Sequence, residues 1–326
     1  MAILVTGGAG YIGSHTVAEL KAFGDDVVVL DNLSTGHREA VLDVPFYHAD
    51  IRDEETVTRI LRDHEVDVVV HFAANSLVGE SVADPLKYFD NNVAATTQLV
   101  RTMTSNGVKR IVFSSTAAVY GEPAATPIVE TMPTQPTNPY GDTKLTIEHM
   151  LQWCHNAYGL DAVALRYFNA AGAHPALSIG EDHQPETHLI PLVLQTALGQ
   201  RAEVAIYGDD YPTPDGTCIR DYIHVMDLAS AHRLAVQSLR ERAGFAAYNL
   251  GNGQGFSVQQ VIAAARDVTG RKIPATVRDR RAGDPAILVA SAQKARSELG
   301  WVPLRDKLTD IVASAWEWHV RHPQGY

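Results

Sequence analysis

The chain has 326 residues, of which 45% are hydrophobic and 20% are charged, a balance typical of a globular enzyme with a buried core. Its formal net charge of -11 argues against a nucleic-acid-binding surface and against a polybasic membrane contact. Its two cysteines, Cys154 and Cys218, are too few for a disulfide framework, and no apolar run approaches the ~20 residues of a membrane span.

The first half of the chain alternates apolar runs with helical stretches. The first run follows the initial Met directly and leaves no signal-peptide pattern, so we expect a cytoplasmic protein. Runs that predict strands cover residues 2–6, 26–30, 67–74, 110–115 and 163–169, and helical patterns cover 14–24, 54–64 and 91–107. Continuous apolar strands separated by helices indicate an α/β fold with a doubly wound parallel sheet.

The pattern changes from about Ala170. A loop-like stretch rich in Gly, Pro and His precedes a series of shorter elements. Helices are predicted near 190–199, 227–239, 257–269 and 305–320, with short strands in 204–225 and a buried strand at 246–251. We expect one domain formed by residues 1–175 plus 219–252, and a smaller, interleaved α/β substrate-binding domain formed by 176–218 plus 253–326.

A glycine-rich turn, TGGAGYIG (6–13), lies between the first strand and the first helix. Gly7, Gly10 and Gly13 allow a tight turn, close approach of a pyrophosphate to the backbone and packing of the helix on the strand. Asp31 ends the second strand 18 residues beyond Gly13, where its carboxylate can accept hydrogen bonds from an adenosine ribose. This carboxylate would repel a 2′-phosphate, so the sequence predicts a Rossmann-type site for NAD rather than NADP.

Tyr140 and Lys144 are four residues apart in NPYGDTK (138–144), with Asn138 as a helix N-cap and Pro139 in the first turn. The spacing places them on one face of a helix. A phenol with a pKa of ~10 becomes a base near neutrality if its pKa falls by about three units, or ~4 kcal/mol. One ammonium group at ~4 Å supplies about that much at an effective dielectric constant of ~20. We therefore expect Tyr140 to act as a base beside Lys144.

The strand before that helix ends in the hydroxyl side chains of Ser114, Ser115 and Thr116. Ligands of open α/β sheets bind beyond the carboxyl ends of the strands. One of these hydroxyls can therefore bind a substrate alcohol and pass its proton toward Tyr140.

Several motifs in order along the whole chain carry a resemblance to a known family. They are TGGAGYIG (6–13), HFAA (71–74), VGES (78–81), YFDNNV (88–93), SSTAAVYG (114–121), PYGDTK (139–144), LRYFNAAGAHP (165–175), IPLVLQ (190–195), the segment 205–229, YNLGNG (248–253), RRAGDPA (280–286) and RHPQGY (321–326). Together they resemble the extended short-chain dehydrogenase/reductases that act on nucleotide sugars, and among these the 4-epimerases.

The resemblance implies reversible epimerisation of UDP-galactose and UDP-glucose at C4 with tightly bound NAD. The phenolate of Tyr140 takes the proton of the 4-hydroxyl while a hydride passes from C4 to the nicotinamide. The transient 4-keto sugar turns over and the hydride returns to its opposite face, with no net oxidation. The resemblance also implies a homodimer that is formed through the helices near 91–107 and 140–155.

The same resemblance extends both binding sites by matching motif. The NAD site would comprise Gly7, Gly10, Tyr11, Ile12, Gly13, Asp31, Asn32, Leu33, Ser34, Thr35, Gly36, Asp50, Ile51, Phe72, Ala73, Ala74, Ser76, Asn91, Tyr140, Lys144 and Phe168. The UDP-sugar site would comprise Thr116, Tyr140, Asn169, His188, Leu189, Tyr207, Arg220, Arg281 and Asp284. The two arginines suit a pyrophosphate.

Four positions depart from the family pattern. Thr116 stands where serine is common and keeps the hydroxyl, whereas Ser76 replaces a lysine that would contact the cofactor. His188 replaces an asparagine before Leu189. Leu288 is smaller than the tyrosine of members that reject N-acetylated sugars, so UDP-N-acetylglucosamine stays open as a substrate.

Three other functions compete with C4 epimerisation of UDP-galactose and UDP-glucose. A 4-epimerase of a uronate or pentose UDP-sugar fits the same motifs. A nucleotide-sugar dehydratase would need an acid and a base after Thr116, where this chain has Ala117 and Ala118. A non-catalytic NAD-sensing protein would not need Tyr140 and Lys144.

Overall fold

A computed structural model describes residues 1–281 and 284–326. The strands are β1 Ala2–Thr6, β2 Val27–Asp31, β3 Phe46–His48, β4 Val66–His71, β5 Arg110–Thr116, β6 Asp161–Tyr167, β7 Asn169–Ala171, β8 Val204–Tyr207, β9 Ile219–His224, β10 Phe245–Leu250, β11 Gly255–Ser257, β12 Ala275–Arg278 and β13 Ile287–Leu288. The helices are α1 Tyr11–Ala22, α2 Glu54–Asp63, α3 Val78–Ala83, α4 Pro85–Tyr88, α5 Ala95–Ser105, α6 Pro139–Tyr158, α7 Leu189–Ala197, α8 Val225–Glu241, α9 Val258–Thr269, α10 Gln293–Leu299 and α11 Leu308–Arg321.

Seven parallel strands form the central sheet in the order β10-β6-β5-β4-β1-β2-β3. The predicted doubly wound α/β fold is confirmed. The strand order reverses between β1 and β4, because the chain runs outward to β3 on one side and to β10 on the other. In such sheets, ligands bind beyond the carboxyl strand ends at the reversal.

Each face of the sheet is covered by helices, and alternate residues of each strand supply the two cores. Ile3 and Val5 of β1 pack with residues of α1 and α8 on one face. Leu4 packs with residues of α2, α5 and α6 on the other. Because both faces are buried, the strands read as continuous apolar runs, which explains why the sequence predicted them.

The second half forms smaller sheets around a separate core. Strands β11, β9 and β13 are neighbours, β7 pairs with β9, and β8 pairs with β12. Helices α7, α9 and α11 supply most of the side chains of this core. The predicted helices are present, whereas α3, α4 and α10 were not predicted because helices of four to seven residues carry too little periodicity. Among the described residues, no helix combines the length and apolar character needed to cross a membrane.

Candidate active site

The turn between β1 and α1 approaches the neighbouring strand β4 closely. Gly7 has a φ of +75°, and a Cβ there would lie 2.6 Å from the backbone nitrogen of Ala73. A Cβ on Gly13 would overlap the carbonyl oxygen of Gly7. Gly10 is the N-cap residue of α1 and has no side chain, so no side chain at this position accepts a hydrogen bond from the first N–H groups of the helix. The turn therefore leaves N–H groups and a positive helix end available to a phosphate.

Asp31 lies at the carboxyl end of β2, beside this turn. Its carboxylate accepts hydrogen bonds from the N–H of Ala9 at 2.9 Å and from the N–H of Leu33 at 2.8 Å. Burial raises the pKa of Asp31, and these two N–H groups oppose the shift. The carboxylate therefore joins the glycine turn to the loop that follows β2, where it can also accept from ribose hydroxyls.

The loop after β2 continues the same edge of the site. The side chain of Asn32 donates to Asp50 at 3.2 Å, and Arg52 donates to the same carboxylate at 2.9 Å. The Arg52 side chain lowers the pKa of Asp50. Of the other residues expected here by resemblance, Leu33, Ser34, Thr35 and Gly36 follow β2 directly, and Ile51 follows β3 and is buried in the core.

Buried polar residues that sequence reasoning missed hold the loop after β4. Asn92 is fully buried, accepts from the N–H of Asn75 at 2.8 Å and donates to Thr143 of α6 at 3.1 Å. It also accepts from Asn91, one of the predicted cofactor residues, at 3.1 Å. The predicted residues Phe72, Ala73 and Ala74 are partly buried in this region, whereas Ser76 is exposed.

Tyr140 and Thr116 meet where α6 begins. Asn138 caps the helix by accepting from the N–H of Gly141 at 2.9 Å, as predicted. Gly141 packs so closely on the segment after β5 that a Cβ there would lie 2.6 Å from the carbonyl oxygen of Ala118. This approach brings the Thr116 hydroxyl near the Tyr140 side chain, where it lowers the pKa of the phenol against the effect of burial.

The other two hydroxyls at the end of β5 have different partners. Ser114 contacts the hydroxyl of Tyr167, and Ser115 donates to the carboxylate of Glu148 at 2.5 Å. Of the three candidates from the sequence, Thr116 is the one whose hydroxyl lowers the pKa of Tyr140.

Lys144 lies one turn further along α6. Its Nζ donates to the carbonyl of Ser114 at 2.9 Å and lies 5.9 Å from the centre of the Tyr140 ring. Burial lowers the pKa of Lys144 to about 7, and the Glu148 carboxylate opposes that shift. Burial raises the pKa of Tyr140, and the nearby Thr116 hydroxyl opposes this shift.

These values correct one step of the sequence argument. The spacing suggested that Lys144 alone would bring Tyr140 close to neutrality. In the structure, burial penalises both the ammonium and the phenolate, so the lysine by itself does not lower the phenol's pKa. A further positive charge or hydrogen-bond donor at the phenol is needed to form the phenolate.

A buried ion pair that the sequence did not predict continues this row of α6 residues. Glu148 lies one turn beyond Lys144 and is 2% exposed. Arg166 of β6 donates to its carboxylate at 3.0 and 3.2 Å and to the hydroxyl of Tyr120 at 2.8 Å. No sequence signal marked these residues, because their pairing joins a helix to a strand.

The predicted sugar-site residues of the second half form two contacts of their own. Arg220 donates to Asp284 at 3.1 Å, and the guanidinium carbon of Arg281 lies 3.9 Å from the centre of the Tyr207 ring. The structure thus brings together four of the predicted sugar-site residues in pairs. Residues 282–283 of the RRAGDPA motif lie outside the described residues.

Phe168 and Asn169 link the two halves, because they follow β6 directly and Asn169 pairs with Tyr222 of β9. Phe168 and Leu288 are partly buried against the cluster of Val119 and Tyr120. The residue expected to limit the sugar therefore lies near the segment after Thr116.

His188, a predicted sugar contact, lies among acidic side chains at the start of α7, where Leu189 is the first helical residue. Its Nδ1 is 3.0 Å from Glu181 and 2.9 Å from Glu186. Burial lowers the pKa of His188, but the two carboxylates outweigh it and the pKa rises to about 10. His183 shares these acids, and its pKa rises to about 9 against the effect of burial. Tyr11 of the glycine turn contacts this group edge-on, with 6.2 Å between its ring and that of His183.

Comparison with known proteins gives consistent matches over the whole chain. The model of the NAD dependent epimerase/dehydratase family matches residues 3–251. The UDP-glucose 4-epimerase of Halalkalibacterium halodurans is 61% identical over 326 residues, which are 100% of this chain and 98% of that protein. A crystal structure of a UDP-glucose 4-epimerase has a TM-score of 0.98 and 52% identity, and covers 100% of this chain and 99% of its own. The UDP-glucose 4-epimerase of Bifidobacterium longum, solved in complex with NAD⁺ and UDP, has a TM-score of 0.95 and 42% identity, with 100% of both chains covered.

Proposed function

The chain belongs to the NAD dependent epimerase/dehydratase family, and we propose that it interconverts UDP-galactose and UDP-glucose by inverting C4 through a transient 4-keto sugar, with NAD tightly bound. The observation that carries this proposal is the position of Tyr140 beside Lys144 and near the Thr116 hydroxyl, at the carboxyl end of a strand of the sheet that also carries the glycine turn. The high identity to UDP-glucose 4-epimerases over the full length supports the same activity.

The residues present fit NAD. The close approach at Gly7 and the uncapped start of α1 suit its pyrophosphate, and the Asp31 carboxylate suits its adenosine ribose. When bound, NAD supplies a reversible acceptor for the hydrogen of C4. We assign the remaining cofactor contacts to the loops after β2 and β4 and to Lys144.

Tyr140 is the proposed base. Its phenolate oxygen takes the proton of the sugar 4-hydroxyl and becomes the neutral phenol, and the nearby Thr116 hydroxyl orients the sugar hydroxyl. Lys144, held by the carbonyl of Ser114, provides a nearby positive charge when protonated. The same groups return the proton when the 4-keto sugar is reduced.

The UDP group is assigned to the residues of the second half. Arg220 and Arg281 provide planar cations for the diphosphate, and Asp284 and Tyr207 hold them in place through the contacts described above. Asn169, Leu189 and His188 complete the proposed pocket. This assignment follows the division into a cofactor-binding domain of residues 1–175 plus 219–252 and a sugar-binding domain of 176–218 plus 253–326.

We further propose a homodimer, a cytoplasmic location and a role in galactose metabolism. Trp153 of α6 is 73% exposed and Tyr158 is 61% exposed, which supports burial of α6 and α5 against a second copy. The free thiols of Cys154 and Cys218 suit a reducing compartment.

The proposal is tested by incubating purified protein with UDP-galactose, without added oxidant, and separating the nucleotide sugars by chromatography. We expect UDP-glucose to accumulate to an equilibrium mixture that is also reached from UDP-glucose. Formation of a 4-keto-6-deoxy sugar instead would show a dehydratase and contradict the proposal.

A matched variant assigns the base. Tyr140→Phe retains the ring but loses the hydroxyl, so we expect the purified variant to retain NAD and to lose most of its turnover. NAD is measured after denaturation of the protein. Turnover close to that of the unsubstituted protein would exclude Tyr140 as the base.

A further inference from the structure

A group of histidine and glutamate side chains converges in the loop before α7. Glu181, His183, Glu186 and His188, called here the Glu–His cluster, each direct one ligand atom into a space where all four atoms lie within 4.8 Å of one another. Glu181 is 5% exposed, and the other three are partly buried. Two carboxylates gathered this closely repel each other unless positive charge lies between them.

The distances within the Glu–His cluster lie on either side of those between the ligands of a tetrahedral metal site, so small side-chain movements would allow four-fold coordination. Zinc lies about 2.0–2.2 Å from nitrogen and oxygen ligands, so adjacent ligands of a tetrahedron are about 3.3–3.6 Å apart. The oxygen of Glu181 is 3.3 Å from Nδ1 of His183 and 3.0 Å from Nδ1 of His188. The Glu186 oxygens are 3.7 and 2.9 Å from the same two nitrogens.

The Nδ1 atom of His183 gives a second, independent indication. It is buried and has no hydrogen-bond partner within the part of the chain that the structure describes, although both carboxylates lie within 4 Å of it. The Glu181 oxygen at 3.3 Å lies at an angle that does not suit a hydrogen bond, and the Glu186 oxygen at 3.7 Å is too distant for one. A cation among the four atoms would be a partner for this nitrogen.

We propose that the Glu–His cluster binds one divalent cation of the zinc type through two imidazole nitrogens and two carboxylate oxygens. Imidazole ligands favour zinc and its neighbours over Mg²⁺ and Ca²⁺, which take six or more oxygen ligands. Four protein ligands leave no open position, so the site is structural rather than catalytic.

The position of the Glu–His cluster shows which segments of the chain such an ion would connect. All four ligands lie within residues 181–188, and His183 contacts Tyr11 of the glycine turn edge-on. His188 is the N-cap of α7 and binds the ion through Nδ1, which leaves Nε2 for other contacts. The ion would therefore fix the loop between the glycine turn and α7. This inference does not depend on the proposed reaction.

Zn²⁺ and Co²⁺ are the probes for the test. The protein is stripped with a chelator, equilibrated with Zn²⁺ by dialysis and analysed by elemental mass spectrometry. We expect about one Zn²⁺ per chain, an increase in the midpoint of thermal unfolding on adding Zn²⁺, and the intense visible spectrum of tetrahedral cobalt after loading with Co²⁺.

His183→Gln removes one ligand of the ion. Loss of an outer-shell partner typically weakens metal binding about 10–100-fold, so loss of a ligand should weaken Zn²⁺ binding by more than that. Glu186→Gln carries the same expectation if the first variant does not fold. His64→Gln is the matched control, because His64 lies two residues before β4 and so at the opposite ends of the parallel strands from the glycine turn. His64→Gln should bind Zn²⁺ like the unsubstituted chain. Equal Zn²⁺ binding by the unsubstituted chain and the cluster variants, or a weak octahedral cobalt spectrum, would overturn the proposal.

Discussion

The buried Glu148 lies one helical turn from Lys144, and Glu148→Gln removes its charge while nearly retaining its shape. Two effects follow from the structure. Arg166, which donates to both carboxylate oxygens, is left as a buried cation without its counterion. Lys144 loses the carboxylate that opposes the effect of burial on its pKa.

Each effect has a magnitude. Breaking a buried ion pair by removing one partner costs about 3–5 kcal/mol, so the free energy of unfolding should fall by about that amount. The pKa of Lys144 is about 7 with Glu148 present and should fall below it without the carboxylate. Each unit of this fall reduces the protonated fraction of Lys144 about tenfold at a pH above its pKa. We expect the high-pH limb of the kcat profile to move to lower pH.

The assay combines urea unfolding with a pH profile of kcat at saturating UDP-galactose. A double variant, Glu148→Leu with Arg166→Met, separates the two effects, since replacing a buried pair by apolar side chains restores stability. We expect the double variant to regain most of the lost stability but to keep the shifted pH profile. If the profile of Glu148→Gln coincides with that of the unsubstituted protein while NAD stays bound, the link between Glu148 and Lys144 is refuted.

Two further predictions concern the glycine turn and acid stability. The purified Gly7→Ala variant should lack NAD, because the added Cβ would collide with the backbone of Ala73. Gly24→Ala is the control, since Gly24 has φ +85° but nothing within 4 Å of a Cβ there. This control should lose about 1–3 kcal/mol of stability to backbone strain and retain NAD. Retention of NAD by Gly7→Ala would contradict this interpretation. The second prediction concerns four buried histidines whose pKa is lowered by burial to about 4 or 3, namely His15, His71, His224 and His232. In the unfolded chain the histidine pKa is ~6.5, so the free energy of unfolding should decrease as the pH falls below that value. Each of the four histidines contributes a slope of about 1.4 kcal/mol per pH unit until it is protonated in the folded protein. His232→Leu removes one of these groups, so the slope of the unfolding free energy against pH, measured by urea unfolding between pH 4 and 7, should decrease by about 1.4 kcal/mol per pH unit. An unchanged slope would count against the prediction.

The sequence was most informative where a physical pattern is local. The strands of the central sheet are buried on both faces, so their apolar runs identify them without further context. The start of α6 was equally accessible, because Asn138 and Pro139 are local signals of a helix N-terminus. By contrast, β13 has two residues and α10 has seven, so β13 is too short to show the two-residue period of a strand and α10 too short to show the 3.6-residue period of a helix.

The site was predictable up to the point where distant segments meet. Strand alternation places Ser115 on the opposite face of β5 from Ser114 and Thr116. Nothing in the sequence indicates that Ser114 contacts Tyr167, so that Thr116 is the hydroxyl that remains for Tyr140. The pKa of Tyr140 was misjudged for the same reason, because burial depends on the whole fold. The Glu–His cluster lies in a loop whose spacing follows neither a helix nor a strand, so its convergence is visible only in three dimensions.

The central claim is that the hydrogen of C4 is removed and returned within one closed site. It is tested most directly with UDP-galactose that carries deuterium at C4, incubated in ordinary water, with the UDP-glucose product analysed by mass spectrometry and NMR. The account predicts that deuterium remains at C4 of the product. Loss of the deuterium to solvent would contradict it, because it would show that C4 exchanges its hydrogen with water during inversion.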